Sequence, residues 1–470
     1  MVYSGFIAFA VGGLLMMLMP GGRFRRLLAK SGLILLFLLS MPMEARCGKV
    51  AGIPRETADS LARRQVIYNG SYVTFNTLAR DVLTKVSGKP SYRGLTAEQV
   101  LVSFRLYPDV WKDIPLIRIK DKALANSLGL TGKYASLSDL FDKEGNYRIT
   151  PLLEKEGGRN VAELDEKAGI LLTLLSGQLI EPLPADAEPL PEWRVSLELL
   201  YNRLPLSKLL FIILFCGAFL FLSAGLFGKR KEIVLTIVLT IGKVALCSAF
   251  SVGLSEFTLQ WILAGRLPVS NTFETLEFAV VIALAVISAG LRRIADPESR
   301  RIVVGGGMLM CGALALVAHL VEMNPVVTPL MPVLHSPWLS IHVSVIMTAY
   351  SLLLLTAVNS VSALVRPSDS VELRRLSTLL LYPGVWLLGL GIATGSVWAA
   401  ISWGRYWSWD PKETLALITL LVYALPLHQR VFKKRRHKGN RAFHLYLLLA
   451  ILTVAMTYFG VNFLNSRHAY

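Results

Sequence analysis

The sequence predicts an all-α polytopic membrane protein with about ten transmembrane helices and one extracytoplasmic soluble domain that is mainly helical or α+β. Hydrophobic residues make up 53% of the 470 residues and charged residues only 17%, and the mean hydropathy is +0.52. This composition is too apolar for a soluble protein of that length. The apolar residues are also grouped into runs, most of which have the roughly 17 to 25 residues that a bilayer span requires.

Ten apolar runs are predicted to cross the membrane. The second is short and resembles the hydrophobic segment of a signal peptide, but no A-x-A cleavage pattern follows it. In chain order, the runs are residues 3–19, 33–43, 206–227, 233–253, 273–291, 302–321, 339–365, 379–394, 415–427 and 443–463.

Composition divides the chain into three regions. Residues 1–43 hold two N-terminal membrane segments, residues 44–205 form the predicted soluble domain, and residues 206–470 form a transmembrane domain with an outer loop at 396–414. Within the second region, stretches such as VTFNTLARDVLTKV have apolar residues at helical spacing, whereas WKDIPLIRIK is typical of a strand. The region is long enough to have a core of its own.

The net charge of +17 is explained by membrane topology and requires no nucleic-acid partner. When alternate loops are assigned to opposite sides, one side carries 21 Lys and Arg residues, and the other side with the C-terminal tail carries 4. The positive-inside rule places the first side in the cytoplasm. The soluble domain, the loop at 396–414 and the C-terminus are therefore predicted to lie outside the cytoplasm.

A tryptophan-rich segment, WAAISWGRYWSWDPKET at residues 398–414, lies between two apolar runs. It holds four of the nine tryptophans of the chain, Trp398, Trp403, Trp407 and Trp409. Two interpretations are open, because indoles at a membrane boundary form an aromatic belt or offer a flat surface to an apolar ligand. Asp410, before Pro411, is suited to cap the following helix, with Glu413 in its first turn.

The histidines supply candidate iron ligands. His342 is predicted near the outer start of one helix and His468 just beyond the outer end of another, so their imidazoles could meet beside the tryptophan-rich segment. Two imidazoles on opposite faces of a haem give a six-coordinate iron. The alternatives are a hydrogen-bonded helix-end histidine for His342 and a disordered tail residue for His468. His428 is predicted near the cytoplasmic end of the helix that follows the segment.

Four motifs resemble the CcsA (ResC) family of cytochrome c biogenesis proteins. The run WGRYWSWDPKETLALITLLVYALPLH is similar to the WWD-type haem-handling signature of that family, and PVSNTFETLEF, SPWLSIHVSV and FGVNFLNSRHAY match further family motifs in the expected order. The resemblance covers roughly residues 206–470. The preceding part resembles a shortened, divergent CcsB (ResB) portion, so the whole chain is similar to a System II cytochrome c synthetase.

The resemblance implies a cytochrome c haem lyase (holocytochrome c synthase) of a bacterial inner membrane. Such a protein exports haem b, holds it at an external bis-histidine WWD site and attaches its vinyl groups to the CxxCH thiols of apocytochrome c. The implied partners are haem, apocytochrome c, the lipid bilayer, thiol-reducing proteins and a CcsB-type protein. The alternative is a haem exporter or carrier that delivers haem to a separate synthetase.

The resemblance also implies roles for individual residues. His342 and His468 correspond to the two external axial ligands of the haem iron, and His428 corresponds to an intramembrane ligand. Fusion members of the family carry a second intramembrane histidine in an early helix, but this sequence has no histidine before His319. The tryptophans of the segment are expected to cover the porphyrin face.

Charged residues near the outer side complete the candidate site. Arg405 and Lys412 are the only cations of the tryptophan-rich segment and are candidate partners of the haem propionates, and Asp410 is a candidate site residue as well as a helix cap. Glu274 and Glu277 are costly to bury in a membrane, which makes them candidates for a functional role. The expected contribution of the protein is position and control of the iron ligands, without a nucleophile of its own.

Overall fold

The computed structural model shows a mainly helical chain that divides into two compact units. The polar unit holds the described residues of Met41–Pro205, and the membrane unit holds those of Leu206–Val321 and Leu330–Tyr470. The structure describes residues 52–68, 70–130, 132–142, 144–156, 158–184, 186–226, 232–290, 293–321, 336–428 and 436–463. The predicted spans at 3–19 and 33–43 lie outside the described residues, and so does His468.

The polar unit combines helices with short antiparallel strands. Its helices are α1 (Arg55–Ala62), α2 (Phe75–Ser87), α3 (Ala97–Leu106), α4 (Pro108–Trp111), α5 (Lys122–Ser127), α6 (Thr150–Glu156), α7 (Arg159–Ser176) and α8 (Glu192–Arg203). Its strands are β1 (Gln65–Tyr68), β2 (Ser71–Thr74), β3 (Ser91–Tyr92), β4 (Leu95–Thr96), β5 (Ile117–Arg118), β6 (Tyr134–Ala135) and β7 (Glu181–Pro182). They pair in the orders β2-β1-β7, β3-β4 and β5-β6.

The core of the polar unit is apolar and is bordered by buried polar contacts. Side chains of α2, α3 and α7 such as Leu78, Phe104 and Leu171 form a single buried cluster. Beside it, the carboxylate of Glu198 on α8 accepts hydrogen bonds from the backbone N–H and hydroxyl of Thr74 at 3.0 and 2.8 Å, and from the hydroxyl of Thr77. This buried charge is therefore supplied with donors, as burial of a carboxylate requires.

The membrane unit consists of long apolar helices. They are α9 (Leu206–Ser223), α10 (Glu232–Ala264), α11 (Thr272–Gly290), α12 (Pro297–Val321), α13 (Pro337–Val365), α14 (Ser370–Trp403), α15 (Pro411–Ala424) and α16 (Arg436–Tyr458). Among the described residues, seven helices are long and apolar enough to cross a membrane; α15, with 14 residues, is the shorter exception. The prediction of an all-α polytopic membrane protein is confirmed.

Successive helices of the membrane unit run in opposite directions, so that the unit has two ends. One end, here called the tryptophan end, holds the last residues of α14, the first turn of α15 and the connecting residues 404–410. The starts of α9 and α11 and the ends of α10, α12 and α16 lie there too; Thr275 of α11, for example, hydrogen-bonds to Tyr458 of α16 at 2.6 Å. The opposite end, called the arginine end, holds Arg300, Arg301, Arg366 and Arg374.

Candidate functional site

The candidate site is built on the packing of α13 against α14, the most extensive helix pair in the described chain. Two glycines of α14 face larger side chains of α13, with Gly391 opposite Ile346 and Gly395 opposite His342. A Cβ atom added to Gly391 would lie 2.5 Å from Ile346 Cδ1, and one added to Gly395 would lie 2.5 Å from His342 Cε1. Because a close-packed interface has no room for such an atom, a larger residue at either position would displace the side chain of Ile346 or His342.

The imidazole of His342 is held by the backbone of α14. Its Nδ1 donates a hydrogen bond to the carbonyl oxygen of Gly391 at 2.7 Å, and Thr394 Oγ1 donates to the same oxygen at 3.0 Å. A carbonyl can only accept, so Nδ1 carries a hydrogen and the lone pair of the neutral ring lies on Nε2. A hydrogen bond of this kind fixes the tautomer and the orientation of histidines that bind metals.

The four tryptophans of the segment lie in different environments. Trp398 follows Gly395 by one turn on the same face of α14 and is only 4% exposed. Trp403 is the last residue of α14 and is exposed, and Trp407 is half-buried. The rings of Trp407 and Trp409 meet edge to face at a centroid distance of 5.7 Å and an angle of 90°. The last three rings therefore offer accessible aromatic surface, whereas Trp398 is buried in the helix packing.

Trp409 has an unusual backbone conformation. Its φ is +57°, in the left-handed region, and its side chain is 71% exposed. For a bulky residue this conformation costs about 1–2 kcal/mol, and an exposed ring gains little from burial in return. A strained and exposed indole is typical of a ligand-contacting residue rather than of a core residue.

The connecting residues are held by the cap of α15. Asp410 Oδ1 accepts the backbone N–H of Lys412 at 2.9 Å, and the Glu413 carboxylate accepts those of Ser408 and Asp410 at 2.9 and 3.2 Å. These bonds form a capping box that satisfies backbone N–H groups at the start of the helix. The capping interpretation of Asp410 is thus confirmed, and the same bonds fix the chain between Ser408 and the helix.

The remaining candidate residues are distributed over both ends. Arg405 is exposed and Lys412 is half-buried, both at the tryptophan end beside the indoles. His428 lies instead beyond α15, after the 3-10 turn Leu425–Leu427, and is exposed at the arginine end. The structure therefore brings His342, the tryptophans and the two cations to one end and leaves His428 at the other.

Sequence reasoning missed the glycines and one carboxylate. Gly391 and Gly395 shape the seat of the His342 ring, and their spacing of four residues within an apolar run was the available signal. Glu256, like Glu277, is buried in a long apolar helix, and an ionisable residue within such a run was also a signal.

The fold and the site define a polytopic helical membrane protein with an aromatic and histidine-bearing site at one end of its helix bundle. The sequence pattern of the family described as Cytochrome C assembly protein matches residues 205–468, more than half of the chain. The protein belongs to this family and is a CcsA-family cytochrome c biogenesis protein. The resemblance drawn from the motifs is thereby confirmed at the level of the family.

Individual relatives differ in how much of the chain they match. Protein NrfI of Wolinella succinogenes is 29% identical over 485 residues, which cover 85% of this chain but 53% of NrfI. The chain thus spans about half the length of that relative. The cytochrome c biogenesis protein CcsA of Synechococcus sp. (strain CC9605) is 34% identical over 46% of this chain and 82% of its own length. CcsA of Prochlorococcus marinus (strain MIT 9215) is 31% identical over 56% of this chain and 93% of its own.

Proposed function

We propose that the protein is a cytochrome c synthetase of a bacterial inner membrane, with the polar unit and the tryptophan end facing the periplasm. It exports haem b, holds it at the tryptophan end and attaches it to apocytochrome c. The observation that carries this proposal is the hydrogen bond from His342 Nδ1 to the Gly391 carbonyl at 2.7 Å. It assigns the hydrogen of the neutral imidazole to Nδ1, which is the tautomer whose Nε2 carries the lone pair that an iron ligand donates.

The surroundings of His342 fit a haem substrate. A porphyrin has a wide apolar face and two anionic propionates, so it needs aromatic surface and a few cations at one rim. Trp403, Trp407 and Trp409 supply exposed or half-exposed indoles at the same end of the bundle. Arg405 and Lys412 are cations of the same segment and are suited to the propionates. His468 is proposed as the second axial ligand.

The proposed reaction is an addition. Each thiol S–H of the CxxCH motif adds across a vinyl C=C bond of haem, so that a C–S bond forms and the hydrogen passes to the other vinyl carbon. No net oxidation occurs, and the protein contributes by holding haem and thiols in register. His342 orients the haem through its iron, while the capping box of α15 keeps the indole-bearing chain in place.

Residues outside the tryptophan end are given roles as well. Residues 1–205 are proposed as a shortened CcsB-like portion, which is supported by the NrfI alignment because it extends beyond the region that the family pattern matches. His428 is proposed as a ligand on the inward route of haem, since it lies at the arginine end.

A spectroscopic experiment tests the ligand assignment. The full-length protein is purified with its haem, and the absorption spectrum of reduced haem is compared between the wild type, His342→Ala and His468→Ala. Both variants should lose bound haem or the spectrum of a bis-imidazole iron. His319→Ala is the matched control at the same end, since His319 is hydrogen-bonded to Ser207 and should leave the haem spectrum unchanged. An unaltered spectrum in both site variants would contradict the assignment.

A maturation assay separates synthesis from transport. The protein is expressed in a host that lacks its own cytochrome c maturation system, together with a CxxCH reporter or a reporter whose two cysteines are replaced by serine. Covalent haem on the CxxCH reporter alone, seen as haem staining in a denaturing gel, is the expected result. Haem bound to the purified protein without any covalent product would identify a haem exporter or carrier instead.

A further inference from the structure

A pair of buried glutamates lies at the tryptophan end of the membrane unit, on helices that do not carry His342 or the tryptophans. Glu256 of α10 and Glu277 of α11 are each 2% exposed, and their carboxyl groups are within hydrogen-bonding reach of each other. Glu256 also accepts the backbone N–H of Ser207, near the start of α9. Three helices therefore contribute to one buried polar cluster at this end of the membrane unit.

This cluster has oxygens that lack donors. Among the residues that the structure describes, Glu256 Oε2 and Glu277 Oε1 have no hydrogen-bond partner. Gln260, 4% exposed and one turn beyond Glu256 on α10, donates its Nε2 to Glu277 Oε2 at 2.5 Å, while its own Oε1 is also without a donor in the described chain. A buried amide oxygen and two carboxyl oxygens thus share a need for a hydrogen atom or a positive charge.

Two ionised carboxylates cannot satisfy one another. Both are acceptors only, so a hydrogen bond between Glu256 and Glu277 exists only when one of them is protonated. Two negative charges at this separation, removed from water, would also repel each other and lack solvation. Closely paired carboxyl groups in proteins resolve this conflict by sharing one proton. We propose that Glu256 and Glu277 form an intramembrane proton-binding site that holds one proton between them.

The charged and titratable groups near the pair, Arg266 and Tyr458, form hydrogen bonds with other residues. Arg266, in the loop between α10 and α11, makes two hydrogen bonds with Glu274, from Nη1 to Oε2 at 3.0 Å and from Nη2 to Oε1 at 3.1 Å. The guanidinium is therefore engaged with Glu274. From α16, Tyr458 faces α11 but its hydroxyl is hydrogen-bonded to Thr275 at 2.6 Å. Both groups thus have hydrogen-bond partners outside the pair.

Ser207 contacts both the carboxyl pair and a histidine. Ser207, whose N–H reaches Glu256, also hydrogen-bonds through its hydroxyl to His319 Nδ1 of α12 at 3.0 Å. His319 is half-buried, close to the last residue of α12, and exposed Lys208 of α9 lies near it. Ser207 therefore lies between the carboxyl pair and His319, an imidazole that can take up or release a proton close to the surface of the tryptophan end.

Release of the proton has a structural consequence. It would leave two carboxylates facing each other between α10 and α11, and their repulsion would favour separation of these helices at the tryptophan end. The site would thus make the packing of that end sensitive to the pH of the compartment it faces. This inference does not depend on the haem assignment, because none of its residues belongs to the proposed haem site.

Infrared spectroscopy of the full-length protein in lipid nanodiscs tests the proposal. Spectra are recorded at neutral pH for the wild type, Glu256→Gln and Glu277→Gln, with Glu274→Gln as the matched control. Each of the first two variants should shift or abolish the carbonyl stretch of the protonated carboxyl group, because each removes one partner of the shared proton. This band also shifts in D₂O. Glu274→Gln should lose only carboxylate absorption, because Glu274 is ion-paired with Arg266.

The wild type alone provides a second measurement that does not depend on the folding of any variant. Its carboxyl band should disappear when the sample is titrated to alkaline pH and return on reversal. A wild-type spectrum without this band would overturn the proposal, as would a band that is unchanged in both Glu256→Gln and Glu277→Gln. A band that appears only after sodium is replaced by choline would show that the pair holds a metal cation rather than a proton.

Discussion

The two ends of the membrane unit use polar groups in opposite ways. At the arginine end, Arg301 Nη1 donates to the carbonyl oxygens of Phe221 and Leu222 at 3.0 and 2.8 Å, and Arg300 donates to that of Ile294 at 2.6 Å. Phe221 and Leu222 lie in the last turn of α9, where carbonyl groups have no partner within the helix. Cations at helix C-termini also complement the helix dipole. The polar groups of this end stabilise the bundle.

The tryptophan end instead presents polar and aromatic groups that are suited to bind a ligand or a proton. The lone pair of His342 is directed by its bond to Gly391, and Trp409 keeps an exposed ring in a strained conformation. Glu256 and Glu277 have oxygens without donors among the described residues. Sites that bind ligands commonly keep strain or unsatisfied groups that a purely structural region would not. Variants at the two ends should therefore affect different properties.

The largest expected difference concerns two histidines at opposite ends. His342→Ala should weaken haem binding by more than about 100-fold, because removal of a ligand exceeds the 10- to 100-fold effect of removing its hydrogen-bond partner. His444→Ala should retain haem but lower the apparent melting temperature, since His444 is fully buried and hydrogen-bonded to Ser360 at 3.2 Å. Haem titration and thermal unfolding measure both. Equal haem loss in the two variants would contradict the distinction between the ends.

The next prediction concerns the seat of the His342 ring. Gly395→Ala places a Cβ atom 2.5 Å from His342 Cε1, so the ring must move away from the Gly391 carbonyl. Haem affinity should fall about 10- to 100-fold, as for other losses of a ligand's hydrogen-bond partner. Gly389→Ala is the matched control on the same helix, because its Cβ would meet only Leu420 Cδ1 at 3.9 Å among the described atoms. Similar affinities for the two variants would argue against a role for the ring position.

At the arginine end, Arg301→Met should affect stability and spare haem. It removes the charged donor from two helix carbonyls, which should cost about 2–3 kcal/mol and lower the apparent melting temperature. Arg375→Met is the control, since Arg375 is an exposed arginine of the same end. If Arg301→Met instead released haem without lowering the apparent melting temperature, the assignment of a structural role to this end would be wrong.

A smaller effect is expected from the cap of α15. Asp410→Ala should destabilise the helix start by about 1 kcal/mol and loosen the residues that carry Trp407 and Trp409. Asp410→Asn should restore most of the stability, because asparagine also caps helices. Thermal unfolding and haem titration of the two variants measure this. A failure of asparagine to rescue would indicate that the charge of Asp410 matters more than its cap.

The smallest change in stability, and one of opposite sign, is expected at Trp409. Glycine adopts a φ of +57° without strain, so Trp409→Gly should leave stability unchanged or raise it by up to about 1 kcal/mol. Haem affinity should nevertheless fall, because an exposed indole is lost from the proposed porphyrin surface. Thermal unfolding with haem titration measures both quantities. A large loss of stability would show that the ring is a structural residue.

Much of the membrane fold was open to prediction from local sequence. Apolar runs of sufficient length predicted the spans, and the two N-terminal ones lie outside the described residues. The order Asp410, Pro411, Glu413 predicted the capping box, because each of its bonds joins residues within a few positions of one another. The motifs also predicted the family that the sequence comparison supports. The apolar runs and the capping box involve residues that are close in the chain, and the family motifs are recognised by direct comparison of sequences.

Tertiary structure alone decided which side chains meet. The sequence identified His342 as a candidate, but the antiparallel register of α13 and α14 placed Gly391 and Gly395 against it. Likewise, Glu277 was recognised as costly to bury, whereas its pairing with Glu256 required the packing of α10 against α11. Helical periodicity specifies the faces of each helix, but the register and rotation between two helices follow from how their side chains interlock over the whole interface.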